Sequence, residues 1–191
     1  MVKKILVATG AILLAQLFFC RSNVSRIEPI QKKTFDYDYA YSRLLEYIKI
    51  HEGYSTKMYY CPAGYPTIGY GHLIRSHEQH LCYTSLSKEQ ADELLKKDFN
   101  KAIQFALKLS PELELNSPQL LAVSHFIFGH GCFNYARSTL RKEVKNGNKL
   151  GVSREFRRWI TYKNPKGEIV ISANAKAIAE YNVKLFNTKL K

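Results

Sequence analysis

No pair of cysteines in this chain has the C-x-x-C spacing, which argues against a zinc ribbon. The four cysteines, Cys20, Cys61, Cys82 and Cys132, are scattered. Spacing alone therefore cannot pair them, although an oxidising compartment would permit disulfides. The segment "HEQH", His77 to His80, fails as a metal motif because its histidines stand three apart, whereas a zinc-binding helix needs them four apart. No metal and no cofactor is expected. Internal repeats and low-complexity tracts are missing too, and no apolar run reaches the ~20 residues of a spanning helix. Acidic residues are scarce, with 16 Asp and Glu against 29 Lys and Arg and a formal net charge of +13. The excess is uneven: residues 137–168 hold ten Lys/Arg against three Glu. Such a charge favours anionic polymers, whether nucleic acid, acidic membrane surfaces or cell-wall glycans, and composition does not choose among them.

The N-terminus narrows the choice. "MVKK" is a basic start, and Ile5 to Phe19 form an apolar run of fifteen residues that suits an export signal better than a spanning helix. Phe19 is bulky where lipoprotein processing before Cys20 requires a small residue. Cleavage after Ser22 and retention as an uncleaved signal-anchor through residues 5–19 both stay open. The expected organisation is a signal peptide or signal-anchor over 1–22, a polar linker over 23–36 and one globular domain over 37–191. Export to the periplasm or the exterior weakens the nucleic-acid reading, and no nucleic-acid partner is expected.

Tyr41, Leu44, Leu45 and Ile48 lie on one helical stripe that stops at Gly53. Residues 57–73 are rich in Tyr, Thr and Ile but broken by Pro62, Gly64, Pro66, Gly69 and Gly71, which predicts short, bent antiparallel strands. "SKEQ", Ser87 to Gln90, is a capping box that opens a long helix, with Ala91, Leu94, Leu95, Ala102, Phe105 and Leu109 near its apolar face. Asn116 or Ser117 caps the next helix, whose "QLLAVSHFIFGHG" is apolar nearly all round and should be buried. Further helices are expected over 139–146, 153–161 and from about Ser172 to Phe186, with a Gly/Pro loop at 164–167. The fold class is α+β and mainly helical: a small β-hairpin lobe and a larger helical lobe, joined by the long helix. A cleft between two such lobes is the default ligand site.

Chemistry concentrates in "HEGYSTKMYYCPAGYPTIGYGH", His51 to His72. A carboxylate in the last turn of a helix, as at Glu52, opposes the helix dipole by about 0.3–1 kcal/mol. Facing a cleft, it would be partly desolvated and hold its proton to higher pH, as a general acid must. Glu52, eight residues, Cys61, five residues, Thr67 and then "IGYGH" together resemble the active-site signature of bacteriophage-type lysozymes, glycoside hydrolase family 24, in which the middle residue is Asp or Cys. Less specifically, "SKEQADELLKKDFNKAI" resembles the family's bridging helix, and "GCFNYARSTLRKEVKNGN", "EFRRWI" and "AEYNVKLF" resemble its later helices, so the likeness covers about residues 40–187. Two places depart from the pattern: Ile127 or Phe128 stands where an amide is usual, and Ala175, Lys176 and Ala177 where paired arginines are frequent.

The resemblance implies a lysozyme-like two-lobed fold and hydrolysis of the β-1,4 bond between N-acetylmuramic acid and N-acetylglucosamine in peptidoglycan. In family terms Glu52 protonates the leaving oxygen, Cys61 and Thr67 position the attacking water, and the anomeric configuration inverts. A thiol with an ordinary pKa of ~8.5 is mostly neutral where a carboxylate is ionised. Cys61 therefore has a depressed pKa, acts by positioning, or attacks the sugar. Disulfide exchange at Cys61 with Cys20, Cys82 or Cys132 would gate activity. His72 reads as a buried structural residue beside the site, paired with Asp98 on the long helix. The expected partners are peptidoglycan strands and, through basic residues 137–168, an anionic wall or membrane surface; a monomer is expected. The competing readings are a catalytically weak lysozyme-fold protein that binds peptidoglycan, and a membrane-anchored basic protein binding acidic lipid or nucleic acid.

Overall fold

The computed structural model describes residues 35–61, 64–163 and 167–189, without the side chains of residues 162 and 163. The signal segment over 1–22 and nearly all of the linker over 23–36 lie outside the described residues, as does most of the expected loop at 164–167. Helix α1, Tyr37–Glu52, starts where the Asp36 side chain accepts from the Tyr39 amide at 2.9 Å. It buries Leu44, Leu45 and Ile48 and stops at Gly53, whose φ of +72° other residues rarely adopt. Three short strands follow, β1 (Ser55–Tyr60), β2 (Pro66–Gly69) and β3 (His72–Leu73), antiparallel in the order β1-β2-β3. Tyr59 faces Thr67 across the first pair, and Ile68 faces His72 across the second. A 3-10 helix over Ser76–Tyr83 closes this lobe around Ile68, Ile74, Leu81, Leu86 and Ala91.

Helix α2, Lys88–Leu109, opens on the expected capping box: Ser87 Oγ accepts from the Gln90 amide at 3.2 Å, and Gln90 Oε1 accepts from the Ser87 amide at 2.8 Å. Its buried residues are Ala91, Leu95, Phe99, Ala102 and Ala106. Ala91 belongs to the small-lobe core, Leu95 and Phe99 to a cluster with Leu44, Ile48 and Leu121, and Ala102 and Ala106 to the main helical core. One face of α2 thus runs through all three hydrophobic clusters. Phe105 departs from the expected packed face: it is 41% exposed, because the stripe through Ala102 and Ala106 turns it toward the cleft.

The helical lobe comprises α3 (Pro118–His130), α4 (Cys132–Arg137), α5 (Thr139–Lys145), α6 (Lys149–Phe156) and α7 (Ala173–Phe186). Ser117, not Asn116, caps α3, accepting from the Leu120 amide at 3.0 Å. As its composition requires, α3 is the central helix, buried from Leu120 through Ile127. The expected helix over 153–161 begins instead at Lys149, where Asn148 caps it, and ends at Phe156. Residues 161–163 pair with 169–171 as a small hairpin, β4 (Thr161–Lys163) and β5 (Ile169–Ile171). That strand pair escaped the periodicity argument because each strand has only three residues.

Buried beside this core is His125, whose Nδ1 lies 2.7 Å from Asn182 Oδ1 of α7. Desolvation lowers its pKa to about 4, outweighing the bond to Asn182. The unfolded chain takes up this proton near pH 6.5, so between about pH 6.5 and 4 the unfolded state binds more protons, and stability falls as pH drops. Urea unfolding should show this loss, on the order of 3 kcal/mol across the window at 1.36 kcal/mol per pH unit. The acid-dependent part should shrink by about that amount in His125→Gln.

Candidate active site

A cleft of about 390 Å³ separates the small lobe from the helical lobe. Glu52, Gly71, His72 and Arg75 form one wall, Asp98, Lys101 and Phe105 of α2 another, and Ile127, Phe128 and Cys132 the far side. Glu52 is the last residue of α1, so the break at Gly53 leaves its carboxyl at the helix end rather than along a packed face. The residue retains solvent-exposed surface, yet its carboxyl is enclosed enough that desolvation pushes its pKa up, opposed only in part by His51. A β-carbon built on Gly71 would lie 3.4 Å from Glu52 Oε2, so the turn between β2 and β3 passes close against the acid.

Cys61 and Thr67 lie outside the lining of this cleft, Cys61 just after β1 and Thr67 in β2. Thr67 is 1% exposed, and its hydroxyl donates to the Tyr65 carbonyl at 3.0 Å. The Cys61 amide donates to the same carbonyl, also at 3.0 Å, so one acceptor ties the two residues together. Burial first, and then the charges of Glu52 and Cys61, push the Tyr59 hydroxyl pKa up. Spacing in the sequence had not singled out this tyrosine, whose hydroxyl is influenced by both residues.

His72 is buried, with Nδ1 2.5 Å from Asp98 Oδ2 and Nε2 3.2 Å from Glu78 Oε2. Glu78 is the partner that sequence reasoning missed, since "HEQH" was weighed only as a metal motif. Burial opposes ionisation of both carboxylates. At Asp98 the bonds from His72 and Lys101 outweigh it, and at Glu78 the Arg75 amide and His72 do, so both pKa values end lowered. Lys101 Nζ, 3.1 Å from Asp98 Oδ1, carries the network into the cleft wall. Among the described residues no group of three or more His, Cys, Asp or Glu is arranged to hold a metal ion.

Apart from Glu52, His72 and Asp98, the cleft-lining residues were not identified from sequence. Asp98, Lys101 and Phe105 recur at helical spacing on α2, and that second stripe was the available signal.

Comparison with known proteins adds to this geometry. The family described as "Phage lysozyme" matches residues 49–173. An endolysin of Acyrthosiphon pisum secondary endosymbiont phage 1 is 32% identical over 112 residues, 59% of this chain and 73% of that protein. A SAR-endolysin of Bacteriophage PS119 is 29% identical over 117 residues, 60% of this chain and 66% of that protein. Among solved structures, an endolysin from Escherichia coli O157:H7 phage FAHEc1 superposes with a TM-score of 0.60 at 27% identity, covering 75% of this chain and 89% of that one.

Two measurements test the site. Gly71 and Gly64 share a positive φ, +84° and +80°, but a β-carbon at Gly64 meets nothing within 4 Å. Alanine at either position should cost roughly 1–2 kcal/mol in thermal unfolding, and only Gly71→Ala should also lower the turnover number. The depressed carboxylates stabilise the fold above their unfolded pKa values, 3.8 for Asp98 and 4.5 for Glu78, and that stability is lost as pH falls through the lower native values. Asp98→Asn should therefore be less stable than the unmodified protein at pH 6, with the gap narrowing below pH about 4.

Proposed function

Because this chain belongs to the phage lysozyme family and is a peptidoglycan hydrolase, we propose that it cleaves the β-1,4 bond between N-acetylmuramic acid and N-acetylglucosamine with Glu52 as the general acid and with inversion. The observation that carries the proposal is the Glu52 carboxyl at the cleft wall, its pKa raised by desolvation. A proton held toward neutral pH is what departure of the glycosidic oxygen requires. Cys61 and Thr67 position the attacking water. The Thr67 hydrogen is taken by the Tyr65 carbonyl, so its oxygen meets any further partner as an acceptor and can orient the water by one of its hydrogens. Cys61 then serves by placement rather than by attack on the sugar. The water oxygen bonds to the anomeric carbon as the glycosidic bond breaks, the leaving oxygen takes the Glu52 proton, and the proton lost by the attacking water passes to bulk solvent, from which Glu52 is reprotonated.

The wider expectations enter here as proposals. Export through residues 5–19 fits an enzyme acting on the wall, and one relative is itself named a SAR-endolysin. Among the described residues no helix is long and apolar enough to cross a membrane. Within 137–168, Arg157 is neutralised by Glu180 at 2.6 and 2.9 Å and Arg158 by Glu155 at 3.0 Å. Exposed Lys142, Lys145, Lys149 and Arg154 remain to meet an anionic surface. Disulfide exchange at Cys61 would withdraw its thiol from the site. Mapping disulfides before and after reduction, alongside lytic activity, tests that gating. A monomer completes the proposal. The binding-only alternative is not favoured by the family membership or by the raised pKa of the carboxyl in the cleft.

Incubation of the purified protein with peptidoglycan should release new reducing ends, first as the α-anomer. Glu52→Gln should lower the rate by about 10²–10⁴-fold, the usual contribution of a general acid. A β-anomer as first product would assign covalent attack to Cys61.

A further inference from the structure

Glu52 ends a helix, and a helix end is held by whatever satisfies its last carbonyls. Here that partner comes from the far end of the chain. Asn174, an exposed residue in the first turn of α7, donates through Nδ2 to the His51 carbonyl at 3.4 Å. Its Oδ1 is hydrogen-bonded to His51 Nδ1. A carbonyl can only accept, so the amide nitrogen must face it, which leaves Oδ1 toward the ring and puts the hydrogen on Nδ1. His51 is thus gripped on backbone and side chain by one residue. Its ring also packs on Tyr47 at 4.2 Å, and Tyr47 stacks at 4.0 Å on Tyr181 of α7.

We infer that Asn174, acting through His51, is a positioning residue for the Glu52 carboxyl. The inference rests on Glu52 being the general acid. The clamp holds the last turn of α1 against α7, so the carboxyl that follows keeps one direction into the cleft. It also keeps the imidazole beside Glu52, where its charge opposes the desolvation that raises the acid's pKa. The titratable groups around His51 are Glu52 and Tyr47 on its own helix, His125 on α3 and Tyr181 on α7. Glu52 is the carboxylate among them. The clamp is peculiar to the folded state because it joins residues 123 apart in sequence.

The test measures kcat, KM and the pH profile on peptidoglycan for the full chain and for Asn174→Leu, Asn174→Asp and Glu52→Gln. Asn174 is exposed, so its variants should fold, and circular dichroism and thermal unfolding verify it. Asn174→Leu should lose about tenfold in kcat with little change in KM, as expected when a reacting group loses orientation rather than binding. Its alkaline limb should move to higher pH as the imidazole swings away from the acid. Asn174→Asp keeps an acceptor for His51 Nδ1 but loses the donor to the His51 carbonyl, so its kcat should fall between those of Asn174→Leu and the unmodified protein. Unchanged kcat and an unmoved alkaline limb in folded Asn174→Leu, with Glu52→Gln inactive, would overturn the clamp alone. Full activity in Glu52→Gln would overturn the acid assignment and the clamp with it.

Discussion

Burial of one face of α2 is the constraint on which the rest of the molecule depends. Ala91, Leu95, Phe99, Ala102 and Ala106 recur every three or four residues and enter three successive hydrophobic clusters. Small residues at both ends of this stripe let neighbours approach closely: a β-carbon on Gly69 would come within 3.3 Å of the Ala91 side chain. Phe99, at the centre, packs against Tyr41 of α1 and Phe128 of α3 at ring separations of 5.7 and 6.1 Å. The small sheet, α1 and the helical lobe therefore take their places from one helix. Because only one face is used, the adjacent face is free to line the cleft with Asp98, Lys101 and Phe105.

The electrostatics of the site divide along the same lines. The two carboxylates bound to His72 are groups whose charge burial alone would disfavour, and hydrogen bonds within the network hold both acids ionised. Glu52 has the opposite treatment, with desolvation dominant and only His51 opposing it. Two kinds of carboxylate thus share one cleft, with environments that push them apart. His72–Asp98–Glu78 braces the β2–β3 turn against α2 and the 3-10 helix, and that turn carries Gly71 past the acid.

Much of this was legible in the sequence. The Ser87 capping box, the Pro118 start of α3, the Gly53 stop and the burial of "QLLAVSHFIF" follow from local chemistry, and each appears where that chemistry puts it. Errors arose where local signals were short or shared between two faces. The β4–β5 hairpin has three residues per strand, too few for a period to register. Phe105 is apolar and nearly in phase with the buried stripe, and only packing shows that it faces the cleft. Glu78 lies six residues beyond His72 in a 3-10 turn whose geometry no pattern of apolar residues announces.

The segment from Glu52 to His72 determined by its own spacing which residues would be gathered around one hairpin, because four helix-end and turn glycines, Gly53, Gly64, Gly69 and Gly71, leave the chain few ways to run between them. The kinship with phage lysozymes was legible there as well. Tertiary structure decided how those residues are used. It ties Cys61 and Thr67 to a single carbonyl of Tyr65, sets Gly71 against the Glu52 carboxyl, and brings Asn174 across 123 residues to the end of α1. The reason is physical: hydrogen-bond direction and desolvation depend on which groups meet in space, and a linear pattern encodes periodicity but not those meetings.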